Sequence, residues 1–342
     1  MFAREAESNE TIKAVLEQAT LYPIDCEKGE GLELAKRFNV RGYPTFKMVN
    51  SDAEEIECWI GFEGAEKWSE VVAAGVADQR TIVAKAEAYE TEPTLALARS
   101  LGNAASTKYD FKGAVTYFKT AREMEPDPVA GAVYTEGIMT NMYYGTRMGQ
   151  FTFDEIDAEA RLVLDNPMAP LEARMGVSTM MVSLAGATGN GPKAVPYLET
   201  AMKISEGATD EDILGMRAEL AVDHALLVEK NADKAVQLKH ASMDEGWQED
   251  PSALNEFAWW CFENDVNLEE AEEMAIKGIE LAATDGERAN ILDTAAEICN
   301  ARGNCEDAIA RIKQAIELDP DKEYFRDQLD RFEKELAVKQ QG

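Results

Sequence analysis

Small residues recur along most of the chain at a spacing that few folds can accommodate. Ala114, Ala194, Ala235, Ala271 and Ala308 each lie in a helical apolar pattern, at intervals of 80, 41, 36 and 37 residues. The first interval is about twice the others, and a weaker unit near residues 151–167 fills it. No strand pattern remains beyond residue 93. A helical pattern repeating at this length specifies stacked helical hairpins, because one hairpin alone cannot bury its apolar face. Small side chains let the two helices of a hairpin approach closely, and a proline such as Pro126 or Pro320 stops the second.

Two stretches carry the pattern in full. One is residues 95–126, with Leu101-Gly102, Ala105, Ala114, Phe118, Ala121 and Pro126; the other is 289–320, with Leu292, Ala295-Ala296, Gly303, Ala308, Ala315 and Pro320. These positions resemble the signature of tetratricopeptide repeats, at somewhat more than the usual period of about 34 residues. The resemblance implies an all-α solenoid of about six hairpins over residues 93–338, with a polar capping helix near 322–338. It also implies partners that are proteins or peptides. Trp259 stands where that family keeps a small residue and Lys239 where it keeps an aromatic, so the middle hairpins are expected to pack irregularly.

The first 77 residues read differently. Residues 1–18 show a helical stripe of Phe2, Ile12, Val15 and Leu16, Leu21 to Cys26 reads as a short strand, and Leu32 to Asn39 as a helix. Arg41-Gly42-Tyr43-Pro44-Thr45-Phe46 then makes a tight turn into a strand at 45–50, followed by a strand at 54–62 and a helix at 65–77 with Trp68, Val71, Val72 and Val76 inward. The Gly-aromatic-Pro-Thr turn and the order of elements resemble the C-terminal two-thirds of a thioredoxin domain. The resemblance implies a cis proline and makes Tyr43, Pro44 and Thr45 a loop that docks substrate. It implies thiol-disulfide exchange of client proteins, yet the Cys-x-x-Cys of that family is absent, so the chain as written is expected to be redox-inactive. The family's central strand, which would lie between 22–26 and 45–50, is absent too. The resemblance therefore implies either that further sequence precedes Met1 or that the module is degenerate. Whether the protein is an enzyme stays open at this stage. The alternative is a non-enzymatic scaffold with a docking module.

The domain organisation expected is thus α/β plus all-α: an incomplete thioredoxin-like module at 1–77, a connecting helix at 78–92 with Ile82, Val83, Ala86 and Tyr89 on one side, and the hairpin array at 93–338. Lys and Arg total 34 against 65 Asp and Glu, a net charge of -31. Such a chain is poorly suited to nucleic acid, whose phosphates need a cationic surface. No apolar run reaches the ~20 residues of a membrane span, and charges at Arg4, Glu5 and Glu7 argue against a signal peptide. An extracytoplasmic location is expected only if the N-terminus extends further. Compartment and oligomeric state stay open.

The chemistry-bearing residues are few. Five cysteines with no Cys-x-x-Cys pair do not make a disulfide framework. Cys26 and Cys58 are expected on the sheet as buried small hydrophobes, and Cys261 in the core. Cys299 and Cys305 flank the Gly303 turn, which leaves a redox pair open. His224 and His240 have no cluster with metal-ligand spacing, so neither metal nor cofactor is expected. Gly186 to Gly191 reads as a turn between helices. Tyr134, Met139, Met142, Tyr143, Tyr144 and Met148 form a Met- and Tyr-rich helix, followed by Met175, Met180 and Met181. Such side chains either fill a core or adapt to apolar partners. The run Glu269-Glu270-Ala271-Glu272-Glu273 reads as a solvated helix face, or a contact for a basic partner.

Overall fold

The computed structural model describes residues 2, 5, 8–62 and 64–340, the side chains of 128–130 excepted. It divides into two compact units, up to Ala169 and from Pro170 onward.

The first unit holds one antiparallel pair of strands, β1 (Thr45–Val49) and β2 (Glu55–Ile60), in which Phe46 faces Trp59 and Lys47 faces Cys58. Helices α1 (Glu10–Leu16), α2 (Gly31–Arg37) and α3 (Ala65–Ala77) belong to the same segment. Ile12 and Val15 of α1 pack on Trp68 and Val72 of α3, with Phe46, Met48 and Trp59 against them. Then follow α4 (Ile82–Thr91), α5 (Leu95–Thr107), α6 (Phe111–Met124), α7 (Pro128–Arg147) and α8 (Phe153–Leu164). Cys58 of β2 packs with Ile82, Leu101 and Ala104. The hairpin helix α5 therefore covers the face of the sheet that α1 and α3 do not.

Three expectations change here. Residues 21–26 form no strand; Tyr22 is 78% exposed and Ile24 42%. A strand needs a ladder partner for its backbone groups, and among the described residues β1 pairs only with β2. The expected thioredoxin-like module is therefore not supported: among the described residues of 1–77 there is a two-stranded sheet with helices, and Cys26 lies in irregular chain rather than on a strand. On α4, Val83 is 69% exposed, and Lys85 takes the buried position instead. The expected helix at 1–18 is seen as α1, its first residues lying partly outside the described ones.

The second unit is built from α9 (Leu171–Ala187), α10 (Val195–Ile204), α11 (Glu211–Leu227), α12 (Ala232–Ser242), α13 (Pro251–Glu263), α14 (Leu268–Leu281), α15 (Asp285–Ala301), α16 (Cys305–Leu318) and α17 (Glu323–Lys339). Each odd-numbered helix from α9 to α15 packs on its successor, and α9 on α11 and α13 on α15 as well. The recurring alanines are buried in both units: Ala114, Ala235, Ala271 and Ala308 fully and Ala194 nearly so.

One turn is reused throughout both units. Tyr109, Gly149, Gly189, Lys230, Asp265 and Gly303 take positive φ between α5–α6, α7–α8, α9–α10, α11–α12, α13–α14 and α15–α16 respectively. The residue after each donates its N–H back into the preceding helix, as Asp110 does to Ala105 O at 3.0 Å and Asn304 to Cys299 O at 2.8 Å. This satisfies carbonyls that a helix end leaves open, and it reverses the chain in a few residues. Close approach inside a hairpin is seen at Gly102, where a Cβ would lie 2.6 Å from Phe118 Cε1.

The α13–α14 hairpin packs despite Trp259. Ala258 and Cys261 fill its core, while Trp259 lies partly exposed with its ring 5.1 Å from Phe262. Lys239 pairs with Glu256 at 2.9 Å rather than entering the core. The last helix is more than a polar cap, since Phe325 and Phe332 are buried from it.

Candidate functional site

The 43–45 loop closes the end of the sheet. Pro44 O accepts from Gly61 N at 2.9 Å, Thr45 Oγ1 donates to Gly42 O at 2.6 Å, and the Tyr43–Pro44 peptide is cis. Tyr43 itself is 62% exposed. Of the Met- and Tyr-rich helix α7, Tyr134, Met139 and Met142 are buried and pack as core, so their side chains offer a partner no surface. The apolar stripe that lets α7 pack on α6 claims them. Tyr143 is half-buried, while Tyr144 and Met148 are exposed. Met175 and Met181 of α9 are core as well.

The structure joins the loop to the exposed end of α7 through a residue that sequence reasoning passed over. Tyr109, in the α5–α6 turn, donates its hydroxyl to Arg41 O at 3.1 Å, and the Arg41 guanidinium lies 5.4 Å over its ring. Tyr109 stacks on Phe111 at 5.5 Å, Phe111 on Tyr144 at 6.3 Å, and Tyr144 meets Tyr143 edge-on at 5.3 Å. Arg147 covers Tyr143 at 5.8 Å, and Lys112 covers Phe151 at 5.9 Å. Gly145 lets Phe151 seat beside Phe111; a Cβ there would lie 2.6 Å from the Phe151 ring. Gln150 Nε2 donates to Tyr109 O at 3.3 Å. The result is a ridge of aromatic rings carrying cations on their faces, an attraction worth about 0.5–1 kcal/mol per exposed pair.

A second feature went unread in the sequence. Lys85 is buried, and its ammonium donates to Ile56 O at 2.6 Å, Glu57 Oε1 at 2.8 Å and Ser100 Oγ at 3.4 Å. The signal was present, since Lys85 lies on the stripe Ile82, Ala86 and Tyr89 at helical spacing. This group ties β2 to α4 and α5 and is closed to solvent.

All five cysteines are free. Cys58 shares a hydrogen bond with Thr107 Oγ1 at 3.4 Å, and burial pushes its thiol up. Burial also raises Cys261 to about 12 and Cys299 to about 11. Cys299 Sγ donates to Glu272 Oε1 at 3.3 Å, whereas Cys305 turns to Asn300 Oδ1 at 3.3 Å and to Lys339 Nζ at 3.1 Å. A thiolate is the nucleophile, and buried thiols with raised pKa supply almost none near neutrality. In the native protein Cys26 is expected to alkylate first, with Cys58, Cys261 and Cys299 labelled only after denaturation. Mass spectrometry of iodoacetamide-treated protein checks this.

His224 faces Glu229 at 3.3 Å, and His240 faces Glu270 at 3.2 Å among the rings of Trp247 and Phe257. In the acidic run, Glu270 and Glu272 are half-buried and paired, Glu272 with Arg302 and with Arg311 at 3.0 Å, while Glu269 and Glu273 face solvent.

No family model matches the chain, and no curated protein matches it. Among solved structures it is similar to a tetratricopeptide repeat protein from Parabacteroides merdae ATCC 43184, at 16% identity over 78% of this chain and 93% of that one, with a TM-score of 0.42. BtubC (BKLC) from P. vanneervenii matches at 14% identity over 61% and 88%, TM-score 0.39. The TPR2AB domain of yeast Sti1, in complex with pHSP90, matches at 17% identity over 72% and 84%, TM-score 0.26. At such scores the hairpin architecture rests on this chain's own packing. No helix among the described residues is long and apolar enough to cross a membrane.

Proposed function

We propose that this protein is a non-enzymatic scaffold of the tetratricopeptide type, whose hairpins at 93–338 present surfaces to protein partners and whose 1–77 segment is a docking module on the first of them. The carrying observation is the run of rings that bears the exposed cations Arg41, Lys112 and Arg147 between the 41–43 loop and the end of α7; Tyr43 and Tyr144 are exposed there, Tyr109 and Tyr143 half-buried and Phe111 buried. Large exposed aromatics flanked by charge mark binding surfaces. Against it stands thiol-disulfide exchange, which needs an accessible, activated thiol; the sequence carries no Cys-x-x-Cys, and Cys58, Cys261 and Cys299 are buried with their thiols pushed up.

Two measurements on the full chain test this. Insulin reduction by dithiothreitol is expected to proceed no faster with the protein than without it. Proteins cross-linked to the chain in its native source, once purified, are expected to rebind it with micromolar affinity. Acceleration of insulin reduction that disappears on Cys→Ser substitution overturns the proposal, and so does failure of every purified candidate to rebind.

A further inference from the structure

We infer that the ridge from Arg41 through Tyr109 and Tyr144 to Arg147 docks an extended acidic peptide segment of a partner protein. This deepens the scaffold reading and rests on it.

The first argument is local charge. The chain carries a net charge of -31, yet Arg41, Lys112 and Arg147 are exposed and, among the described residues, none is shown with a carboxylate within ion-pair distance. The acids beside them are engaged. Asp110 Oδ1 accepts from Gly113 N at 3.0 Å as the cap of α6, and Glu155 closes the capping box at Thr152. Those hydrogen bonds hold the Glu155 carboxyl below the usual range, with Lys112 contributing.

The second argument is preorganisation. Each cation already rests on a ring face, so less side-chain freedom is left to lose when a carboxylate arrives. Tyr109 adds to this. It holds φ +60 at a turn position that Gly149, Gly189, Lys230, Asp265 and Gly303 occupy in the other hairpins. A bulky residue in this region is uncommon and costs backbone energy. What it gains here is the Arg41 contact and the stack on Phe111.

The third argument concerns the occupant's shape and class. The rings follow one another at 5.5, 6.3 and 5.3 Å, a path no longer than about five extended residues. Exposed Tyr43 and Tyr144, two and three residues along the chain from Arg41 and Arg147, add apolar surface. A short acidic stretch meets Arg41, Lys112 and Arg147 there, each exposed. A polynucleotide longer than the ridge meets a chain in which acids outnumber bases 65 to 34, and its phosphate backbone is repelled.

The test uses the full chain and a fluorescein-labelled octapeptide, Glu-Phe-Glu-Leu-Asp-Glu-Phe-Glu, read by fluorescence anisotropy. Its Lys-for-acid counterpart and an octanucleotide single strand serve as competing probes. The acidic peptide is expected to bind, more weakly as salt rises from about 50 to about 300 mM, while the basic one does not. The Arg41→Ala/Arg147→Ala variant is expected to lose about tenfold in affinity, and Tyr144→Ala a smaller amount. Both are checked for an unchanged thermal transition, and Arg80→Ala, at a cation already paired with Asp78, serves as a control. Equal binding of the two peptides, unchanged affinity in the double variant, or tighter binding of the oligonucleotide overturns the inference. If a purified partner rebinds the double variant as well as it rebinds the native chain, this inference fails and the scaffold reading stands. If no partner rebinds the native chain, the scaffold reading fails first.

Discussion

Replacing Lys85 by methionine is expected to destabilise the protein by about 3–5 kcal/mol, the range for removing one partner of a buried ion pair. Lys85 and Glu57 are 1% and 2% exposed. All three donors of the ammonium are used, on Glu57 Oε1, Ile56 O and Ser100 Oγ. The variant leaves a carboxylate in the interior with no cation, and Glu57 Oε2 already lacks a partner. It also leaves Ile56 O, which β1 does not reach, without a donor. A double variant, Glu57→Met with Lys85→Met, is expected to recover most of the loss, because two packed apolar side chains often match or exceed a buried pair. Urea denaturation of the three proteins decides it. Equal loss in the single and double variants would show that lysine packing, not the uncompensated charge, sets the cost.

That pair shows why some of this fold could be read from sequence and some could not. The hairpins were legible because their chemistry is local. A helix stripe, a small residue such as Ala114 or Ala308, and a stop signal all fall within one repeat, and the structure buries those alanines. The strand at 21–26 was misread because apolar alternation states a preference, while a strand exists only with a partner. Lys85 was passed over because a lysine on an apolar stripe is ordinarily solvated, and its carboxylate lies 28 residues upstream in another element. The ridge was legible only in pieces. Tyr43 and Tyr144 were singled out, but the residue that links them, Tyr109, contacts Arg41 across 68 positions. Tyr134, Met139 and Met142 share a helix with Tyr144, yet a one-dimensional pattern does not say which side of that helix the neighbouring α6 covers.

Asp293→Asn is expected to stabilise the protein by up to about 3 kcal/mol at pH 8 and to change little at pH 4. Asp293 and Glu297 lie one turn apart on α15 and are 8% and 6% exposed, against α17. Arg331 of α17 engages Glu297, and also Glu335 at 3.2 Å. Lys322 spends its ammonium on Asn290 Oδ1 at 2.6 Å. Asp293 Oδ1 is left with no partner, although Tyr324 lies close enough to assist the carboxyl. Burial, with the Glu297 charge adding to it, pushes the Asp293 carboxyl up to about 6. The unfolded chain holds the same group near 3.9. Its folded pKa is therefore the higher one. The contribution of Asp293 to stability is fully present below about 4 and is lost as pH rises through 6. Above that, folding buries a charge that the single arginine does not answer. Asparagine keeps the shape and removes the charge. Urea midpoints of both proteins at pH 4 and pH 8 should differ at the upper pH and nearly coincide at the lower. Coincidence at both would mean that α17 relaxes enough to hydrate the carboxylate, and destabilisation at pH 8 would mean that the ionised Asp293 is the favoured partner of Tyr324.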